Sequence, residues 1–179
     1  MKLKGLLFLI GGLLIGVLLG VLIVFGGSSN HQGAGQRIPP TIGSAVKDFT
    51  LEKLDGEPLK ISGVRGKPLI LNFWATWCPP CKEEMPLLAQ YADAYSDQLV
   101  VIGVNYAEEK DLVERFVNEQ NITFPILLDK SGTVADIYFV RNYPMTFFID
   151  KDGVLRAQHL GQLTNDVMIR YLELIGITE

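Results

Sequence analysis

Lys67 to Ala75, KPLILNFWA, is a nearly unbroken apolar run, and it constrains the chain more than any other stretch. A strand with one wet face alternates apolar and polar residues. A run this continuous fits a strand covered on both faces. Such a strand needs a sheet with helices packed above and below it. The run ends just before Cys78-Pro79-Pro80-Cys81, and these are the only two cysteines in the chain.

The flanking pattern agrees. "KDFTLEKLDGEPLKI" predicts a hairpin turning at Asp55-Gly56. Lys82 to Tyr95 has helical composition, and "QLVVIGVNY" is a second buried strand. Leu112, Val113, Phe116 and Val117 mark one face of a helix through Asp111 to Glu119. "FPILLD" predicts a short strand, followed by a turn at Asp129 to Gly132 and a short helix through Val134 to Tyr138. "MTFFID" and "VLRAQHLG" flank the hairpin signal Lys151-Asp152-Gly153. Val167, Tyr171, Leu172 and Ile175 place the apolar stripe of a last helix. The expected fold is α/β: a mixed sheet with helices on both faces and an N-terminal β-hairpin.

The beginning of the chain is different. Met1-Lys2-Leu3-Lys4 is basic, and Gly5 to Phe25 is an uncharged apolar run of 21 residues. As a helix it would extend ~30 Å, the thickness of a bilayer's hydrocarbon core. A cleaved signal peptide is the rival reading, but its apolar region is usually ~7–15 residues and ends in a small-x-small site. The longer run favours an uncleaved transmembrane anchor. Lys2 and Lys4 precede it and only Arg37 follows within 20 residues, which predicts a cytoplasmic N-terminus and an extracytoplasmic remainder. Gly12, Gly16 and Gly20 could let two anchors pack, although glycine is common in membrane helices anyway. The predicted organisation is therefore anchor 1–25, flexible Gly/Ser/Asn/Pro-rich linker 26–45, and one globular domain 46–179. The net charge is −4 with no Lys/Arg-rich block, so the footprint of a nucleic-acid binder is missing.

Three readings compete for the cysteines. A structural disulfide across so small a loop would restrict the unfolded chain little. A zinc site needs two more ligands, and the only histidines are His31 and His159, without metal-binding spacing. A redox dithiol expects its first cysteine just past a strand and at the start of a helix. The sequence supplies that placement for Cys78. Unpaired N–H groups and the helix dipole favour a thiolate there, and the thiolate is the attacking species.

"LILNFWATWCPPCKEEMP" resembles the thioredoxin superfamily. More narrowly it resembles the membrane-anchored, extracytoplasmic thiol–disulfide oxidoreductases of the TlpA/ResA kind, of AhpC/TSA-redoxin type. The likeness continues through "VVIGVNYAEE", similar to that branch's central βα insertion, then "FPILLD" and "YPMTFFIDKDG", similar to its cis-proline segment. It spans about Val46 to Gly176. The resemblance implies a thioredoxin-like sheet, a redox disulfide between Cys78 and Cys81, and a cis Tyr143–Pro144 bond. It implies no cofactor and no metal.

Two departures stand out. Thioredoxins proper carry a buried Asp where this chain has Asn72, which cannot take up a proton. The TlpA/ResA branch instead associates a Glu three residues after the second cysteine with the dithiol, and Glu84 stands there. Helical spacing puts Glu84, not Glu83, on the face of Cys81; the bland alternative is a solvated surface carboxylate. Second, the proline is flanked by Tyr143 and Met145, where relatives often have small or polar residues.

The implied catalytic set is Cys78 as exposed nucleophile, Cys81 as resolving thiol and Glu84 as proton acceptor. Trp77, Pro79, Tyr143 and Pro144 form the implied substrate-binding set. Trp74 and Trp77 would form an apolar collar, with core packing the simpler role for Trp74. Pro79 and Pro80 remove two helix-start N–H groups, which favours a reductant over a strong oxidant. The resemblance implies protein disulfides as substrates, apocytochrome c among them, and a membrane thiol transporter of the DsbD/CcdA kind as electron donor. Two alternatives remain. A peroxidase of the peroxiredoxin group would want its Thr three residues before the reactive cysteine, whereas Thr76 is two before Cys78. A tethered binding module would carry an inert disulfide.

Overall fold

The computed structural model describes residues 38–178; the expected membrane anchor and most of the expected linker lie outside the described residues. Among the described residues no helix is long and apolar enough to cross a membrane.

Seven strands form one sheet: β1 (Thr50–Lys53), β2 (Pro58–Lys60), β3 (Leu69–Trp74), β4 (Val100–Tyr106), β5 (Ile126–Asp129), β6 (Met145–Ile149) and β7 (Leu155–Leu160). Their order across the sheet is β2-β1-β5-β4-β3-β6-β7. β3, β4 and β5 run parallel, as their helical crossovers require. The two hairpins and the β3–β6 and β1–β5 pairs are antiparallel. The sheet is thus mixed, as expected. Four helices accompany it among the described residues: α1 (Pro79–Ala94), α2 (Lys110–Glu119), α3 (Thr133–Ile137) and α4 (Asn165–Leu174).

β3 is buried at all six positions, which is why it lacks alternation. Successive residues nevertheless point to opposite faces. Ile70 and Trp74 pack with Met85 and Leu88 of α1, Phe116 of α2 and Met168 and Leu172 of α4. Leu69, Leu71 and Phe73 pack on the other face with Val134 of α3, Tyr138, Val46 and Phe49. Asn72 shares parity with Ile70 and Trp74, so the one polar side chain of β3 points toward α1. In β4, Gly103 leaves room for its neighbours. A Cβ there would come within 2.9 Å of the Trp74 indole nitrogen and 2.7 Å of Ile126 Cδ1.

Cys78 opens α1 as expected, and the helix runs from Pro79, ahead of the stretch of helical composition at Lys82 to Tyr95, because proline is pre-organised for the first turn of a helix, where its missing N–H costs nothing. A single 3₁₀ turn at Ile61–Val64 closes the first hairpin onto the second core, a feature too short to leave a periodic signal.

Candidate active site

The strand-to-helix junction carries the dithiol. β3 ends at Trp74, a turn closes with the Cys78 N–H donating to the Ala75 carbonyl at 3.3 Å, and Cys78 caps α1. Pro79 and Pro80 occupy the first two helical positions and have no N–H to offer. The first available donor is the Cys81 N–H, and it points at Cys78 Sγ at 3.3 Å. Cys78 and Cys81 are joined as a disulfide, with Cα atoms 5.3 Å apart. Cys78 is 3% exposed and Cys81 0%. The first cysteine is therefore the more accessible of the two, but it lies beneath the surface in this oxidised state. The expectation of a plainly exposed nucleophile is corrected to that extent: both sulfurs are drawn into the core that contains Met85 and Trp74.

One helical turn beyond Cys81, Glu84 is completely buried, while Glu83 beside it is exposed. The carboxyl is held from two sides. Asn72 Nδ2 donates to Oε1 at 2.7 Å, and the Leu163 N–H donates to Oε2 at 2.8 Å. Asn72 Nδ2 also reaches Thr146 Oγ1 at 2.9 Å, so β3, β6, α1 and the loop after β7 meet at this group. Burial pushes the Glu84 pKa up to about 7, against the lowering effect of its two hydrogen bonds. Asn72 Oδ1 has no hydrogen-bond partner among the described residues. A half-turn of that amide exchanges a donor for an acceptor, so Asn72 can face either a carboxylate or a protonated Glu84. A carboxyl buried in this way, titrating near neutrality beside a dithiol, is suited to carry a proton to and from it.

The expected substrate-side residues fall around the same junction. The Tyr143–Pro144 bond is cis and leads directly into β6, which pairs with β3. Trp77 is 60% exposed and meets Tyr143 edge to face at 5.8 Å. Pro79 is exposed, Pro144 buried and Tyr143 half-buried. Trp74 takes no part in a collar. It is buried against Phe116, with rings 5.1 Å apart.

Glu108 was not anticipated. Its carboxylate accepts the Thr76 N–H at 2.8 Å, the Thr76 hydroxyl, and Asn105 Nδ2 at 2.7 Å. It thereby fixes the turn that delivers Cys78. Ala107 adopts a left-handed backbone conformation (φ 53°) that aims Glu108 back at Thr76. The sequence holds no local signal for a contact 32 residues away, and nothing distinguishes Glu108 from Glu109 by spacing.

Residues 42–158 match the AhpC/TSA family model. The chain belongs to the AhpC/TSA family. It is 38% identical over 165 residues to the Thioredoxin-like protein YneN of Bacillus subtilis (strain 168), covering 90% of this chain and 96% of that protein. It is 40% identical over 135 residues to the Thiol-disulfide oxidoreductase ResA of Geobacillus kaustophilus (strain HTA426), covering 75% and 78% of the two chains. Among solved structures, the pneumococcal exposed lipoprotein thioredoxin Etrx1 of Streptococcus pneumoniae strain TIGR4 superimposes with a TM-score of 0.64 at 31% identity. That superposition covers 71% of this chain and 98% of Etrx1. Thiol–disulfide oxidoreductase chemistry of the ResA-like type is the activity that these relatives and the dithiol geometry support.

The buried carboxyl makes a stability prediction with a definite sign. A pKa raised from 4.5 to about 7 on folding means that the fold is favoured while Glu84 is protonated. That contribution is complete below pH ~4.5 and is lost as the pH rises through ~7, by up to about 3 kcal/mol. Glu84→Gln keeps one donor and one acceptor but cannot ionise. Denaturant unfolding should find the variant close to wild type at pH 4.5 and progressively more stable than wild type up to pH 8. A difference that stays constant across this range would mean that Glu84 is already ionised when buried.

Proposed function

We propose that this protein is a membrane-tethered disulfide reductase acting on partner proteins outside the cytoplasm. The observation that carries the reading is the Cys78–Cys81 disulfide at the start of α1 with a buried carboxyl one turn beyond Cys81. In the reduced protein the Cys78 thiolate attacks a partner's S–S bond and one partner thiolate leaves. Cys81 then gives its proton to Glu84 and attacks Cys78 Sγ. The second partner sulfur departs as a thiolate and takes up a proton. Two electrons pass from the cysteine pair to the partner's disulfide. The Cys81 proton goes by way of Glu84 to one departing partner thiolate, and the proton that Cys78 released to solvent on forming its thiolate balances the one the other partner thiolate takes up. In this reading the backbone of Tyr143, ahead of cis-Pro144, pairs with an extended substrate strand; the cis bond beside the start of β6 supports it.

The direction follows from the donors available to the sulfur. With Pro79 and Pro80 at the first two helical positions, only the Cys81 N–H reaches Cys78 Sγ. A thiolate with one backbone donor is less stabilised than one with three, and strong oxidants depend on a much-stabilised thiolate. Reducing work in an oxidising compartment needs electrons brought across the membrane. A membrane thiol transporter of the DsbD/CcdA kind fits as donor, and apocytochrome c, with its paired cysteines, fits as an acceptor. The tether is the apolar run Gly5–Phe25, with the N-terminus in the cytoplasm. A peroxidase reading is disfavoured because the Thr76 hydroxyl is spent on Glu108.

Two experiments test this. Cys81→Ala expressed in its own cell envelope should accumulate as mixed disulfides through Cys78 that reductant releases, and mass spectrometry of the released proteins names the substrates. Loss of the adducts on adding Cys78→Ala is expected. No adducts with Cys78 intact, together with peroxide consumption by the wild type, would replace this reading with the peroxidase one. For the tether, N-terminal sequencing of the mature protein should begin at Met1 or Lys2. A start near Ser28 would mean a processed, released form.

A further inference from the structure

Beside the disulfide lies a groove of about 490 Å³ lined by Trp77, Tyr106, Val140, Arg141, Asn142 and Tyr143. Its walls are three aromatic rings in contact: Trp77 meets Tyr143 at 5.8 Å, and Tyr143 meets Tyr106 at 5.1 Å. We propose that this groove is a specificity subsite that takes a large aromatic side chain of the substrate polypeptide flanking the cysteine under attack. The inference rests on the thiol-exchange reading above and adds the substrate class.

Four observations carry it. The groove borders the redox turn, since its lining residues Trp77 and Tyr143 immediately precede Cys78 and cis-Pro144. A strand paired with the Tyr143 backbone would therefore lay a flanking side chain along these rings. The far wall is built to stay in place. Tyr106 ends β4 and lies on the backbone of Gly132, where a Cβ would come within 2.7 Å of the ring. Gly132 also holds φ +70°, so any larger residue there is disfavoured twice over. Third, Trp77 is left 60% exposed at the mouth, an open aromatic surface next to the redox centre.

Charge selects among occupants. Arg141 is the only charged lining residue, and its guanidinium is paired with Asp136. No carboxylate lines the groove itself, and Asp136 beside it is already paired with Arg141, so a basic side chain would meet a cation and have to compete for its counter-charge. An acidic one would have to compete with Asp136. An aromatic ring instead meets faces and edges already set at a tilt of 35° and at 84°, the arrangements in which rings attract one another. The volume suits one such ring with the backbone that carries it.

The test uses the reduced full-length protein and symmetrical disulfide-linked peptides that differ only in the residues flanking cysteine: Phe, Leu, Ser, Lys or Glu. Exchange rates should rank Phe first, about tenfold above Ser, with Lys and Glu no faster than Ser. Tyr106→Val should bring the Phe/Ser ratio close to one, while Tyr106→Phe should retain it. Because the readout is a ratio within one protein, a general loss of activity or stability does not imitate the result. Equal rates for all peptides, a preference for Lys or Glu, or a ratio unchanged in Tyr106→Val would overturn the subsite and leave thiol exchange standing. No exchange with any peptide would overturn both.

Discussion

A carboxyl group without access to water ties this structure together at its working end. Glu84 comes from α1, the Asn72 amide from the central strand and the Leu163 N–H from the loop after the last strand. Each supplies what the others lack: a buried carboxyl needs donors, and a buried amide and a buried N–H need acceptors. The cluster fixes α1 against the sheet one turn from Cys81. It also leaves a group poised between protonation states where a dithiol must lose and regain protons. Burial holds this carboxyl in the neutral range, at a cost in stability that grows as the pH rises above ~4.5 and is nearly complete by about pH 7.

The remaining architecture delivers the sulfur to this cluster. β3 is covered on both faces, so its end is a fixed point in the molecule. The turn from Ala75 to Cys78 would otherwise be a loop of few constraints, and Glu108 pins it by accepting both the N–H and the hydroxyl of Thr76. Pro79 and Pro80 start the helix while leaving the sulfur a single N–H donor. The position of the sulfur and its surroundings thus come from different residues: Glu108 and Trp74 hold the turn, while the two prolines limit the donors at Cys78 and Glu84 lies one turn beyond Cys81.

Much of this was legible in the sequence because it rests on local pattern. The unbroken run of β3 announced a doubly covered strand, the cysteines' place after it announced the redox turn, and the i to i+3 step from Cys81 separated Glu84 from Glu83. Asn72 stood out as a departure from thioredoxins, and period-two parity in a strand puts it on the Ile70 and Trp74 face. Its partnership with Glu84 still could not be read, since that depends on how α1 docks. The Leu163 N–H is 79 residues from Glu84 and is a backbone group, so no residue type records it. Glu108 escaped for a related reason: its aim depends on a left-handed Ala107, which sequence does not signal. The aromatic groove was half visible, as Trp77 and Tyr143 were singled out but Tyr106 was read only as part of a buried strand.

The central claim is that Glu84 is a neutral-range acid inside the protein. A ¹³C NMR titration of the Glu side-chain carboxyls in the oxidised protein, with Glu84 assigned by its loss in Glu84→Gln, measures this without relying on activity. The account predicts one carboxyl titrating at about pH 7, well apart from the rest. A Glu84 midpoint near the ordinary value of 4.5 would contradict it and remove the basis for the proposed proton relay.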